Sequence, residues 1–141
     1  MFLRRTFLAT SLLLLTSGAA LADNFLIHIH TGPDNPTKAA LGFLVALTAQ
    51  NDGHHVDLFL AGDGAALITD EALSSVAGVG TGKLMDHFTA LIAGDVRIYI
   101  SGKSAEARNI AEQALVGKPA EFAMPAKLVQ LAAAADVVLT Y

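Results

Sequence analysis

The stretch Asn24–Gly62, NFLIHIHTGPDNPTKAALGFLVALTAQNDGHHVDLFLAG, decides the fold. Asn24–Ile29 is β-branched and apolar enough for a buried strand, and TGPDNP breaks it at once. Asn35 stands where a side chain can cap a helix, and Pro36 where the first helical residue needs no amide donor. The pattern predicts a helix from Pro36 to about Asn51, stopped by Gly53, and a second strand over His55–Gly62. Two strands joined by a crossover helix run parallel.

Outward from this unit the alternation continues. VRIYIS (Val96–Ser101) reads as a third strand, and the helix-forming stretch AEARNIAEQAL (Ala105–Leu115) comes soon after it. EFAM (Glu121–Met124) fits a short edge strand before a helix opened by Pro125, and DVVLTY (Asp136–Tyr141) is the last strand. Nearly continuous apolar strands alternating with helices argue for one α/β domain, a mostly parallel sheet of about five strands with helices on both faces.

Two features exceed what such a scaffold needs. AALGFLVAL (Ala39–Leu47) is apolar on every face, whereas a helix covering a small sheet keeps a polar outer stripe, so its outer face is expected to be buried against another subunit. The connection from Asp63 to Asp95 is long, and Gly78, Gly80 and Gly82 are expected to make it mobile before a helix near Lys83–Ala93 reaches the third strand. Such connections serve as binding loops or as plain surface excursions.

The first 22 residues, MFLRRTFLATSLLLLTSGAALA, have a basic start at Arg4 and Arg5, an apolar stretch from Phe7 to Leu15 and a small-x-small end. This is an export signal, and RRTFL resembles the twin-arginine type, though Leu3 and Ala9 depart from its outer positions and leave ordinary secretion open. The apolar core is shorter than the ~20 residues a membrane span requires. A periplasmic or otherwise exported domain from Asp23 to Tyr141 is expected, with no membrane attachment after cleavage. Loss of the two arginines leaves 7 Lys+Arg, down from 9, against 13 Asp+Glu, a net charge of −6 that makes nucleic acid a poor partner. There is no cysteine, which excludes thiol chemistry.

In an open parallel sheet, ligands bind beyond the carboxyl ends of the strands, here the loops His30–Asn35, Gly62–Ala66 and Ser101–Ser104. The turn SGKS (Ser101–Ser104) is not a phosphate loop: Arg97 stands where the first glycine belongs, and the Gly82-Lys83 pair fails likewise, with Ala77 and Leu84 at the required positions. Neither serine lies in Gly-x-Ser-x-Gly, so a hydrolase nucleophile is not indicated. Two readings remain: serines capping a helix, or an anion held by helix-start amides with Ser101, Lys103 and Ser104. His28 and His30 project to one face of the first strand as two possible metal ligands. His54 and His55 lie at the opposite end, and His87 has no assigned place.

The mature chain resembles the DsrE/DsrF-like sulfur-relay proteins. The resemblance is carried by FLIHIHTGPDNPTKAALGFLVALTAQNDGHHVDLFLAGDGAALI, by GTGKLMDHFTALIAGDVRIYISGKSAEARNI and by ADVVLTY, and most specifically by DGHHVDLFLAGDG and VRIYISGKSAEARNI. It implies a three-layer α/β/α sandwich and a homotrimer or homohexamer. In members that handle sulfur, a cysteine at the end of the third long strand carries a persulfide, sometimes with a second cysteine three positions on. Those positions are Ser101 and Ser104 here, and a hydroxyl cannot replace the thiolate that the relay needs.

The resemblance therefore implies the fold and withdraws the activity. The expected function is that of an exported, non-catalytic, oligomeric family member without a cofactor. It would bind a small anionic or sulfur-containing ligand, or a sulfur-relay or redox partner, through Ser101, Gly102, Lys103, Ser104, His30, Thr31 and Asp63. The alternatives are a purely structural subunit of a hetero-oligomer and a metal-dependent enzyme built on His28 and His30.

Overall fold

The computed structural model describes residues 21–141, so the predicted export segment lies outside the described residues except for its last two positions. The chain runs β1 (Asn24–Ile29), α1 (Pro36–Asn51), β2 (His55–Leu60), a 3₁₀ turn (Gly62–Ile68) and α2 (Asp70–Ser75). It continues through β3 (Ala77–Gly78), β4 (Gly82–Lys83), α3 (Leu84–Ile92), β5 (Arg97–Ser101) and α4 (Gly102–Ala107). A second 3₁₀ turn (Glu112–Leu115) leads to β6 (Ala120–Ala123), α5 (Pro125–Ala134) and β7 (Val137–Thr140).

Five strands form a parallel sheet in the order β6-β5-β2-β1-β7, while β3 and β4 make a separate antiparallel hairpin. Three successive crossovers carry the chain in one direction, from β1 to β2 to β5 to β6. Right-handed connections therefore place their helices on one face, and the return from β6 to β7 places α5 alone on the other. Side-chain packing follows this division. Ile27, Ile29, Leu58, Leu60, Ile98 and Ile100 pack with the helices of the crowded face, whereas Leu26, Phe59, Tyr99 and Ala123 pack with Ala61, Leu128, Leu131 and Ala135.

The first helix starts as its sequence requires. Asn35 Oδ1 accepts the Lys38 amide at 3.2 Å, and Pro36 takes the first turn. Phe43 and Ala46 are fully buried against the sheet. The other apolar side of α1 is covered from within the chain: α3 and the β3–β4 hairpin pack on it, and Thr37 Oγ1 accepts the Val79 amide at 3.0 Å. The helix lies between two layers of its own domain, which accounts for part of its apolar surface, while Leu41 and Leu44 stay partly exposed.

Two expectations are corrected. The connection from Asp63 to Asp95 is not a plain surface excursion but a packed layer, with Leu67, Ile68, Leu73, Leu84 and Leu91 all buried. Gly80 and Gly82 adopt φ of 76° and 81°, which the turn between β3 and β4 requires and side chains resist. The stretch after Ser104 is not one helix either. It stops at Ala107, where Asn109 (φ 55°) takes the left-handed position and the Ile110 and Asn109 amides donate to the Ala105 and Glu106 carbonyls. That is a closed helix terminus with asparagine in the usual glycine place, and propensity counting cannot see it.

Candidate functional site

The carboxyl ends of β1, β2 and β5 bring the three expected loops to one edge. The Gly64 amide donates to the His30 carbonyl at 2.9 Å, which ties the first loop to the second. Gly32 lies so close to Asp63 that a Cβ there would stand 2.7 Å from the Asp63 Cβ. The amides of His30 and Thr31 donate to the Tyr141 carbonyl at 2.8 and 3.3 Å, so the end of the chain fixes the same loop from the other side. A cavity of about 190 Å³ opens beside two of these loops, lined by Pro33, Ala66 and residues of α2.

Both serines of SGKS hold structural hydrogen bonds. Ser101 Oγ accepts the Ser104 amide at 3.3 Å and caps α4. Ser104 Oγ accepts the Gly62 amide at 2.9 Å and joins the second loop to the third. Arg108, one helical turn beyond Ser104, donates from Nη1 to the Ser104 carbonyl at 3.2 Å and from Nη2 to the Asp63 carboxylate. The loops are thus braced by a chain of polar contacts running from Gly62 through Ser104 and Arg108 to Asp63.

The electrostatics of the edge are nearly balanced. Lys103 pairs with Glu106 at 3.1 Å, and both side chains are exposed. Asp63 has Arg108. Such solvent-facing pairs contribute little stability, but each cation has a carboxylate neighbour that an incoming anion must displace.

His28 and His30 do share one face, with ring centroids 3.9 Å apart and planes tilted by 51°. His28 is half-buried and sits edge-on to Phe59 at 5.5 Å, and its Nε2 has no hydrogen-bond partner among the described residues. Burial, and secondarily the neighbouring His30, pull its pKa down to about 4, so the ring is neutral at physiological pH. Among the described residues no three metal-binding side chains converge, which leaves the two histidines without the third ligand that the metal reading requires. His87 Nε2 instead contacts the Thr81 carbonyl at 2.6 Å, steadying the hairpin, while His54 Nδ1 accepts the Asp23 amide at the far end of the sheet.

Two groups at this edge escape a reading from the sequence. Arg108 could have been suspected from its i+4 spacing to Ser104, but its pairing with Asp63 crosses 45 positions and has no local signal. Met124 follows an edge strand whose carboxyl end reaches the same side. Its sulfur lies 3.8 Å from where a Cβ on Gly102 would stand, and the residue is 57% exposed, so an exposed thioether borders the turn.

Comparison with known proteins agrees with this architecture. The family model described as DsrE/DsrF-like matches residues 23–141. Among solved structures, the ychN protein from E. coli superposes with a TM-score of 0.70 at 18% identity, over 86% of this chain and 100% of that one. A conserved protein of unknown function, BT1422 from Bacteroides thetaiotaomicron, gives 0.60 at 14% identity, over 84% and 95%. Identities this low speak for the fold alone. No curated protein matches the sequence.

Proposed function

Because the chain belongs to the DsrE/DsrF-like family, and is sulfur-relay-like in that sense, we propose that it is an exported, non-catalytic, homo-oligomeric member that works by docking a sulfur-relay or redox partner rather than by carrying sulfur. One observation carries this reading: the two hydroxyls in the turn after β5 are engaged in bracing, Ser101 on the Ser104 amide and Ser104 on the Gly62 amide. A sulfur carrier needs a polarizable thiolate that can be attacked and can leave, and the chain contains no cysteine. The brace keeps the carboxyl edge in shape, and a fixed surface is what docking uses.

A second reading has its own support. Lys103 is exposed at the start of α4 beside Ser101, which favours a small anion such as thiosulfate or sulfite at the turn. The experiment separates the two. In calorimetry with sulfite, thiosulfate and sulfate, the docking reading expects no saturable heat, and light scattering expects a mass three or six times that of one chain. Saturable thiosulfate binding lost in Lys103→Ala would install the anion reading instead. Sulfur transfer from a persulfide donor to an acceptor by the purified wild-type protein would overturn both.

A further inference from the structure

A cavity of about 550 Å³ runs along the open side of β6. Leu115, Val116 and Phe122 give it an apolar wall, with Val116 77% exposed, and Glu112 and Glu121 stand at its rim. Neither glutamate has a cationic partner among the described residues. Lys118, the nearby cation, is turned away into contacts with Asp70 and the Ala114 carbonyl at 2.7 and 2.6 Å.

β6 is one of the two edge strands of the sheet. The Ile98 amide bonds to the Pro119 carbonyl, and Ile98 is in register with Ala120. In a parallel ladder that pattern directs alternate β6 residues at β5 and leaves the N–H and C=O of Phe122, with the C=O of Ala120, on the open side. Successive side chains alternate between faces, so Phe122 lies on the face of the larger core and Glu121, in register with Tyr99, on the other, while the cavity at the edge is lined by both.

We propose that the β6 edge is a docking site for an extended segment of a partner protein in which a large apolar residue alternates with lysine or arginine. Such a segment adds a strand to the sheet: its backbone bonds to Phe122 and Ala120, its apolar side chain enters the cavity beside Val116, and its cation faces Glu121. Charge selects the occupant. A second copy of this chain would bring its own Glu121 to the same edge, and like charges across paired strands disfavour that arrangement. The site lies away from the Ser101 edge and rests on the docking reading only for the existence of a partner.

Anisotropy titrations with a labelled peptide of alternating lysine and leucine test it, beside the same peptide with glutamate for lysine and one with a central proline. The lysine peptide is expected to saturate, with the glutamate and proline peptides at least about tenfold weaker. Glu121→Lys is expected to weaken the lysine peptide about fivefold and to strengthen the glutamate peptide, a gain that misfolding cannot produce. Val116→Asp should weaken the lysine peptide while leaving the melting temperature unchanged. Equal binding of the proline peptide, or indifference to Glu121→Lys, would overturn the proposal. So would sedimentation showing a dimer that occupies this edge and blocks the peptide. The peptide result can fail while the absence of sulfur transfer stands.

Discussion

The two faces of the sheet differ in how they are covered. One carries α1, α2, α3 and α4 over a continuous core, and the other carries, among the described residues, only the ten of α5. Both follow from a single property of the chain, three crossovers in one direction and one return. The crowded face holds the fold together. The sparse face, which has Leu26, Phe59 and Tyr99 under one helix, also carries His28 and the Arg97–Asp57 pair, groups that a dense core would exclude. Stability is expected to be concentrated on one side of the sheet.

The sharpest way to break this contrast is truncation on the crowded face. Phe43→Ala should cost about 3–5 kcal/mol in urea unfolding, enough to threaten folding of a domain this size. Leu128→Ala, partly buried on α5, should cost no more than about 1–2 kcal/mol. Equal losses would show that α5 is a full structural layer and that the contrast is wrong.

The carboxyl edge comes next in size. Ser104→Ala leaves the Gly62 amide without its acceptor and should cost about 1–2 kcal/mol, with faster amide exchange at Gly62 as the local signature. An unchanged exchange rate would mean that the brace does not hold the loops.

The effect of pH on the sparse face is no larger. His28 titrates near 4 in the folded protein against about 6.5 when unfolded, so the unfolded chain binds more protons between those values. Its stabilising contribution is complete above about pH 6.5 and is lost as pH falls towards 4, by roughly 1–2 kcal/mol once its half-exposure is discounted. His28→Leu should flatten that slope in thermal melts. A slope that persists unchanged would place the titrating group elsewhere.

Much of this architecture is legible in the sequence because it is local. The strand at Asn24–Ile29, the Asn35 cap and the Pro36 start are written in consecutive residues, as is the strand that ends at Ser101. What the sequence does not display depends on distance or on a rare conformation. The Asp63–Arg108 pair crosses the sheet edge, Asn109 ends a helix that alanine content would continue, and α1 is covered by α3, a relation visible only in three dimensions. At the candidate site the sequence brings the right loops together and offers serine as a helix cap, the part that Ser101 plays, yet the bond from the Gly62 amide to Ser104 Oγ spans 42 positions and has no local signal.

The central claim is that the turn after β5 keeps the family's shape without its chemistry, and replacing Ser101 by cysteine tests it most directly. Wild-type protein and Ser101→Cys would each be exposed to a persulfide-bearing donor and weighed intact under non-reducing conditions. The account predicts that Ser101→Cys gains the mass of one sulfur atom, removable by a thiol reductant, and that wild type gains none. A wild-type protein that takes up sulfur, or a folded Ser101→Cys that does not, would contradict it.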